Sequence, residues 1–570
     1  MRALYLIAAC GAALTAAQNA VEVRRPREIV KHLHVQVPMR DGVRLSANIF
    51  LPSDRARVPA ILERTPYGKG ADITPNYQAF VEHGYAVVAQ DVRGRYESEG
   101  VFQPLRQESN DGDDTLNWIA RQPWSNGSVG MIGGSYRGIV QWKVAVLNNP
   151  HLKAIFPVVS GWDDYRDRFY STGGALKLGQ RLEWMAENLK VPEYRPDFSK
   201  YVLHLPLRTA DGAATGHMVE MYQDAINHPA FDAFWRAISI REQIGKVRVP
   251  AFAVGGWYDN FAESDLEAFA ALRRSTGLNR VLIGPWPHNM SYKFEGGDFG
   301  PGSQVPVRSL QFQWFDQWLM GKDSPLLSRP PVKIFVMGAN KWREERDWPP
   351  AEARPRAFYL KSGGRANASD GDGALGDKPP RKSAEDRFVF DPRDAVPTRG
   401  GPVCCNPRVF PWGPMDQRAV ERRKDVLVYT SKPLKRDLEV IGPVKVVLWA
   451  ATSTRDTDFT AKLVDVQPDG FARNLTDGIL RLRYRNSLEK PELATPGAIY
   501  RITIDAGVTG NVFLKGHRIR VEISSSNFPR FDRNPNTGGR IADETRLLKA
   551  SQTIYHDREH PSQLILMAMP

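Results

Sequence analysis

Residues 129–138 read Val-Gly-Met-Ile-Gly-Gly-Ser-Tyr-Arg-Gly, a short apolar run that enters a serine flanked by glycines. This spacing predicts a buried strand, a turn too tight for side chains, and then a helix. A serine hydroxyl is a weak nucleophile, and a strand-to-helix turn that lifts it clear of the backbone is one way to activate it. Gly133 and Gly138 remove side chains where such a turn brings chain against chain. The turn also aims backbone N–H groups, that of Tyr136 among them, at the place where an oxyanion would form. A glycine-rich loop carrying an incidental serine is the alternative, and it is weighed against the partners supplied by the rest of the chain.

The chain has 570 residues, more than one core organises, so two or three domains are expected. It is 42% hydrophobic and 25% charged, which marks a globular chain and excludes a disordered one. The formal net charge is +13, yet the basic residues are scattered and no nucleic-acid recognition motif accompanies them, so no nucleic-acid partner is expected. A basic surface suits solubility, anionic substrates or cell-envelope polymers. The N-terminus carries Arg2, an apolar run, and small residues at Thr15 and Ala17. That pattern predicts a secretory signal at 1–17 and an exported, periplasmic or secreted product. Lipoprotein anchoring at Cys10, after Ile7-Ala8-Ala9, is a minor alternative. The run is short of the roughly 20 residues a membrane span needs, and no later segment reaches it, so no stable membrane insertion is expected. With Cys10 removed, two of the three cysteines remain, Cys404 and Cys405. They are read as a vicinal disulfide or as buried thiols. With no CxxC partner and no histidine cluster nearby in sequence, they are not expected to hold a metal. No phosphate-binding or dinucleotide fingerprint occurs, and no cofactor is expected.

Alternation on both sides of Asp41-Gly42 predicts a hairpin across 32–52. Its His32 and His34 are read as exposed strand histidines on one face. Apolar strand runs follow at 58–62, 85–89, 129–132, 251–254 and 280–283. Helical patterns lie between them at 77–83, at 113–121 with a cap at Asp111-Gly112, and at 264–273. Strands without alternation, separated by helices, mean a parallel sheet covered on both faces. From 160 to 248 no strand run appears, only amphipathic helical segments rich in Trp, Tyr and Arg, which fits a helical cap inserted into the sheet domain. From 356 onward short alternating strands dominate, at 425–429, 444–450, 461–466, 498–504 and 518–524, which fits an antiparallel sandwich or jelly roll.

Two later strands end in loops that supply the missing partners. The strand at 251–254 runs into Gly255-Gly256-Trp257-Tyr258-Asp259, and that at 280–283 into Gly284-Pro285-Trp286-Pro287-His288. Serine, then acid, then histidine, each in a loop after a strand, is the chain order of a triad on a parallel sheet. With 11 histidines in the whole chain, one at this site is informative. In these roles Ser135 attacks, His288 moves the proton, and Asp259 orients the imidazole.

On these residues the chain resembles the cocaine-esterase-type (CocE/NonD) serine hydrolases, related to X-Pro dipeptidyl-peptidases, glutaryl acylases and α-amino-acid ester hydrolases. The segments that carry the resemblance are Gly133–Gly138, Gly256–Asp259, Gly284–His288, Arg64-Thr65-Pro66-Tyr67, Gln90–Gly94, Trp124–Gly127, Gly413–Arg418 and Asn534–Gly538. It implies an α/β-hydrolase domain (28–159 and 249–355) with an inserted helical cap (160–248) and a C-terminal all-β jelly-roll domain (356–570). It also implies an oxyanion hole made by the Tyr67 hydroxyl and the Tyr136 N–H.

One departure bears on substrate. In the α-amino-acid ester hydrolases, carboxylates beside the catalytic acid bind a substrate ammonium, whereas here Asn260, Phe261 and Ala262 follow Asp259. Glu263 and the pair Asp163-Asp164 are the remaining candidates for that task. Phe261 and Trp162 suggest instead an aromatic pocket for the acyl or alcohol group. The sequence therefore predicts an exported serine hydrolase of small-molecule esters, with amides as a further class, and leaves homo-oligomerisation open. X-Pro dipeptidyl-peptidase and α-amino-acid ester hydrolase or β-lactam acylase activity are the alternatives within hydrolases, and a glycan-binding protein with a vestigial triad is the alternative outside them.

Overall fold

The computed structural model describes residues 28–570 except Arg55 and Phe410, so the signal expected at 1–17 lies outside the described residues. Its first layer is a ten-stranded sheet. In chain order the first eight strands are β1 (Ile29–Pro38), β2 (Arg44–Pro52), β3 (Val58–Thr65), β4 (Ala86–Asp91), β5 (Ser125–Gly134), β6 (Leu152–Val158), β7 (Ala251–Gly256) and β8 (Asn279–Gly284). In space they run β1-β2-β4-β3-β5-β6-β7-β8, followed by Val332–Val336 and Lys341–Glu345. From β4 through β8 to Val332–Val336 every neighbouring pair is parallel. Strands β3, β4, β7 and β8 are buried along their whole length, which is why their sequences are continuous apolar runs.

The hairpin turns at Asp41-Gly42 as expected, with Pro38 opposite Arg44. A bulge between His32 and Val35 interrupts the alternation that would place His32 and His34 on one face, and His34 takes a positive φ of 58°. Strand β6 has no counterpart in the sequence reading, because Lys153 and Pro157 break its apolar run. Proline in a central strand normally argues against one. Pro157 is nevertheless paired with Gly133 of β5.

Helices cover both faces of the sheet. Pro75–His83 is capped by Thr74, whose side chain accepts from the Tyr77 N–H, and ends at Gly84 with φ 105°. The next helix begins at Glu108, five residues before the expected start, and runs through Asp111 and Gly112 to Ala120. Gly112 does not cap it. A Cβ there would sit 2.1 Å from Val144 Cγ2 of the helix Tyr136–Ala145, so glycine permits close packing of two helices.

Between β6 and β7 the chain forms a turn of π-helix, Asp164–Phe169, then helices that include Leu178–Asn188, Glu220–Asn227 and Ala233–Ile238. The rings of Tyr165, Tyr170 and Trp235 pack together here, with centroids 4.7–6.2 Å apart.

The C-terminal third is an eleven-stranded sheet, running from Arg354–Lys361 to Gln563–Ala568. Its longest strand, Leu438–Thr452, pairs antiparallel with three others. Five of these strands were legible in sequence. Ala472–Arg481 was not, since its polar residues are buried against partners: Arg481 is ion-paired with Asp458 and Asp532 at 2.9 and 2.8 Å. This sheet region reaches back to the loops of the first, where Tyr258 donates to the Asn474 carbonyl at 3.1 Å.

Candidate active site

Ser135 stands between β5 and the helix Tyr136–Ala145 with φ 57° and ψ −127°, a conformation that costs a non-glycine residue energy. The chain holds it there: the Ser135 N–H donates to the Val158 carbonyl at 2.9 Å. A Cβ at Gly133 would lie 2.5 Å from Arg137 Cβ, and one at Gly138 2.5 Å from Ser160 Cβ. Both glycines are thus required by close approach at the turn. The N–H of Tyr136 opens the helix, where such groups have no partner within the helix.

The acid and histidine loops are zipped together. The backbone N–H of Trp257 donates to the Gly284 carbonyl at 2.9 Å and that of Tyr258 to the Trp286 carbonyl at 3.0 Å. Asp259, 1% exposed, meets His288 Nδ1 through Oδ2 at 2.6 Å. Its other oxygen accepts the Phe261 N–H at 3.0 Å, which fixes the carboxylate plane. His288 therefore donates from Nδ1 and keeps a lone pair on Nε2. No hydrogen bond connects the Ser135 hydroxyl to His288. Such bonds are often long without substrate and tighten when it binds.

Ser135 opens on a cavity of about 30 Å³ whose walls include Tyr67, Tyr136, Trp184, Phe261, Arg168 and Arg181. The Tyr67 hydroxyl accepts a hydrogen bond from Trp184 Nε1 at 3.1 Å, so its own proton remains available. The Tyr136 side chain points elsewhere: its buried hydroxyl donates to Glu108 Oε1 at 2.7 Å and accepts the Leu105 N–H at 3.1 Å. Burial first, and Glu108 second, push this phenol well above its ordinary pKa. Arg64, fully buried, pairs with the other Glu108 oxygen at 2.8 Å. Tyr136 thus anchors the turn with its side chain and leaves only its backbone N–H for the site.

Phe261 lines the cavity, its ring centroid 5.9 Å from that of His288. Trp162 does not. It is 3% exposed and packs in the core under the Arg241 guanidinium, while its backbone N–H is tied to Asp167 Oδ2 at 2.9 Å. The carboxylates considered for an ammonium are also elsewhere. Asp163 caps Asp164–Phe169 and bonds Arg166, Asp164 is engaged by Lys143 and Arg168, and Glu263 meets Asp505.

Sequence reasoning missed the wall that the segment between β6 and β7 contributes. Arg181, on Leu178–Asn188, is 8% exposed and lies between the rings of Phe169 and Trp184, 5.2 and 5.8 Å from their centroids. Its Nε is buried without a hydrogen-bond partner, and its terminal nitrogens donate to no described residue. Burial, together with Arg168, lowers its pKa to about 10. An arginine on an amphipathic helix usually reads as solvated, so nothing local marks this one. Cys404 and Cys405 also reach the cavity, from the loop 401–413.

A nucleophile turn on a parallel sheet, with an acid–histidine pair in the following strand loops, defines a serine hydrolase of the α/β type. The chain belongs to the X-Pro dipeptidyl-peptidase (S15) family, whose model matches residues 41–290, with its C-terminal non-catalytic domain at 327–565. It is 40% identical to the cocaine esterase of Rhodococcus sp. (strain MB1 Bresler) over 564 residues, covering 94% of this chain and 97% of that one. Among solved structures it resembles an aminopeptidase from a marine sediment Thaumarchaeota archaeon (28% identity, TM-score 0.83, 96% of this chain and 97% of that one). It also resembles an α-amino acid ester hydrolase (28% identity, TM-score 0.82, 97% and 100%). These relatives are hydrolases, and this chain is a serine hydrolase of their family.

Proposed function

We propose that this protein is an exported carboxylic-ester hydrolase that works through an acyl-enzyme on Ser135. In this reading His288 Nε2 takes the Ser135 proton as Oγ attacks the ester carbonyl, and Asp259 stabilises the imidazolium through Nδ1–H. The oxyanion receives two donors, the Tyr67 O–H and the Tyr136 N–H, each worth about 2.7–4 kcal/mol in the transition state. His288 then returns the proton to the departing alcohol, and a water repeats the sequence to release the acid. The segment 160–248 serves as a cap over the hydrolase domain (28–159 and 249–355), and 356–570 as a jelly roll that braces the acid loop. The segment 1–17 directs export.

One observation carries the choice of esters over aminoacyl substrates. Among the described residues the walls at Ser135 include two guanidiniums, Arg168, which is paired with Asp164, and Arg181, which has no ionic partner, and no carboxylate. A free α-ammonium, which an X-Pro dipeptide or an α-amino-acid ester presents, meets cations there and no counter-ion. Neutral or anionic esters fit better, with Phe261 and Trp184 against their apolar part. The test is a panel of p-nitrophenyl acyl esters and a chromogenic Xaa-Pro amide, run on wild type and Ser135→Ala. Ester turnover that vanishes in the variant supports the reading. Preference for the Xaa-Pro amide, or an active Ser135→Ala enzyme, sinks it.

A further inference from the structure

The loop 401–413 is pinned at its base, where Gly401 and Gly413 exchange hydrogen bonds at 2.8 and 3.1 Å. Beyond its cysteines, Asn406 donates to Glu183 Oε1 on the helix Leu178–Asn188 at 2.6 Å. Held this way, Cys404 and Cys405 wall the cavity at Ser135, with Cys404 only 4% exposed. Their sulfurs are bonded to each other. Both sulfurs and a ring nitrogen of His288 lie within 4.8 Å of one another. Ester hydrolysis by Ser135 uses no thiol, so these two sulfurs have no part in the mechanism above.

We propose that Cys404, Cys405 and His288 become a zinc site when the two sulfurs are reduced, and that zinc bound there switches the hydrolase off. The inference rests on the esterase reading only for its effect on turnover. Thiolate and imidazole are the ligands zinc prefers, with Zn–S about 2.3 Å and Zn–N about 2.0–2.1 Å in a tetrahedron. Tetrahedral bonds of those lengths separate ligand atoms by about 3.4–3.8 Å, so reduction must let the two sulfurs part from bonding distance, while the imidazole, within 4.8 Å of both, stays in reach. Histidine ligands usually donate their other N–H to a carboxylate, and His288 already does so to Asp259 at 2.6 Å. The remaining lone pair, on Nε2, is the one that must accept the Ser135 proton. Zinc and catalysis therefore compete for one electron pair.

The chemistry balances with a dithiol as reductant. Its two sulfurs lose two hydrogens and join, and the Cys404–Cys405 bond opens to two thiols. Zinc then displaces one proton from each thiol and takes the Nε2 pair, and its fourth position is left to water. Thiolates discriminate against magnesium, which prefers oxygen.

The full chain is reduced with dithiothreitol and desalted without air. Free thiols are then titrated, zinc is counted by mass spectrometry after addition of zinc chloride, and ester turnover is read with and without zinc. Reduction is expected to release two further thiols per chain and create one zinc equivalent. It should also make turnover fall about tenfold or more on zinc addition, with recovery by a chelator, while magnesium does nothing. Zinc added to the untreated protein should leave turnover unchanged. Cys404→Ser/Cys405→Ser is expected to bind no zinc after reduction and to keep its own turnover when zinc is added. His288→Ala should lose zinc affinity about tenfold, a readout independent of activity. No gain of thiols, reduced protein that binds no zinc, bound zinc without inhibition, or equal zinc binding by the double serine variant would each overturn the proposal. Zinc-free protein that hydrolyses no ester would instead strike the esterase reading, and the zinc count would still decide the site.

Discussion

Trp184 donates its indole N–H to the hydroxyl oxygen of Tyr67 at 3.1 Å, and this single bond decides what Tyr67 can do. Because Trp184 is the donor, the phenol proton is not used in this bond and stays free to serve the cavity Tyr67 shares with Ser135. Tyr67→Phe is expected to lower kcat about 10²–10³-fold, the usual cost of one oxyanion donor, with little change in KM. Trp184→Phe keeps the phenol and loses only its orientation, so its kcat should fall less. Steady-state kinetics on one p-nitrophenyl ester checks both. A Tyr67→Phe enzyme with wild-type kcat removes the phenol from the oxyanion hole.

Asp259 donates nothing to substrate, yet its two oxygens hold His288 Nδ1 and the Phe261 N–H. Asp259→Asn keeps the shape and offers an amide N–H to Nδ1, which forces the imidazole into the tautomer whose Nε2 carries a proton. Turnover should fall about 10⁴-fold while circular dichroism and the melting temperature barely move. Loss of fold together with activity would mean that the carboxylate is structural first.

What could be read along the chain and what could not divide by the range of the interactions. Ser135, Asp259 and His288 were legible because each follows an apolar strand run, and strand order fixes which loops share an edge of the sheet. Tyr67 was legible only through resemblance. Arg181 and the two cysteines gave no local sign of lining the cavity: they reach it from a helix and a loop more than 200 residues apart that fold over the same serine. Trp162 was misjudged for the same reason, since proximity to the site in sequence says nothing about the Asp167 and Ser264 contacts that bury it. Asp111-Gly112 looked like a turn capping the start of a helix because Asp-Gly pairs favour turns, whereas here Val144 of a neighbouring helix requires the glycine inside one.

Arg181 should set substrate charge. Its guanidinium sits at the cavity wall with no ionic partner of its own, so a carboxylate on the acyl or alcohol part gains a charge-assisted bond that a neutral ester cannot make. Such bonds are worth about 1.5–3 kcal/mol, so kcat/KM for p-nitrophenyl hemisuccinate relative to p-nitrophenyl butyrate should drop about 10–100-fold in Arg181→Leu. The change should appear in KM for the charged ester and spare the neutral one. An unchanged ratio would leave Arg181 as a packing residue between Phe169 and Trp184.

Behind the acid loop a second cavity of about 60 Å³ holds a pair of carboxyls, Glu263 and Asp505, that face each other. Burial raises both above their ordinary range, and the Asp505 charge is the second cause for Glu263. Arg166, Lys177, Arg530, Glu267 and Lys445 also act on the pair, and both carboxyls remain raised. The folded protein therefore keeps a proton here that the unfolded chain releases near pH 4.5. Where the native state binds more protons, stability falls as pH rises. The contribution is complete below pH 4.5 and drains away as pH climbs through the raised value of the folded state. Glu263→Gln supplies an uncharged partner that donates to Asp505 at every pH. Its melting temperature should match wild type at low pH and exceed it by a few degrees, roughly 2–4 °C per kcal/mol, in alkaline buffer. Melting curves for both proteins across that range decide the matter, and a difference that shrinks as pH rises would mean the two carboxyls share no proton.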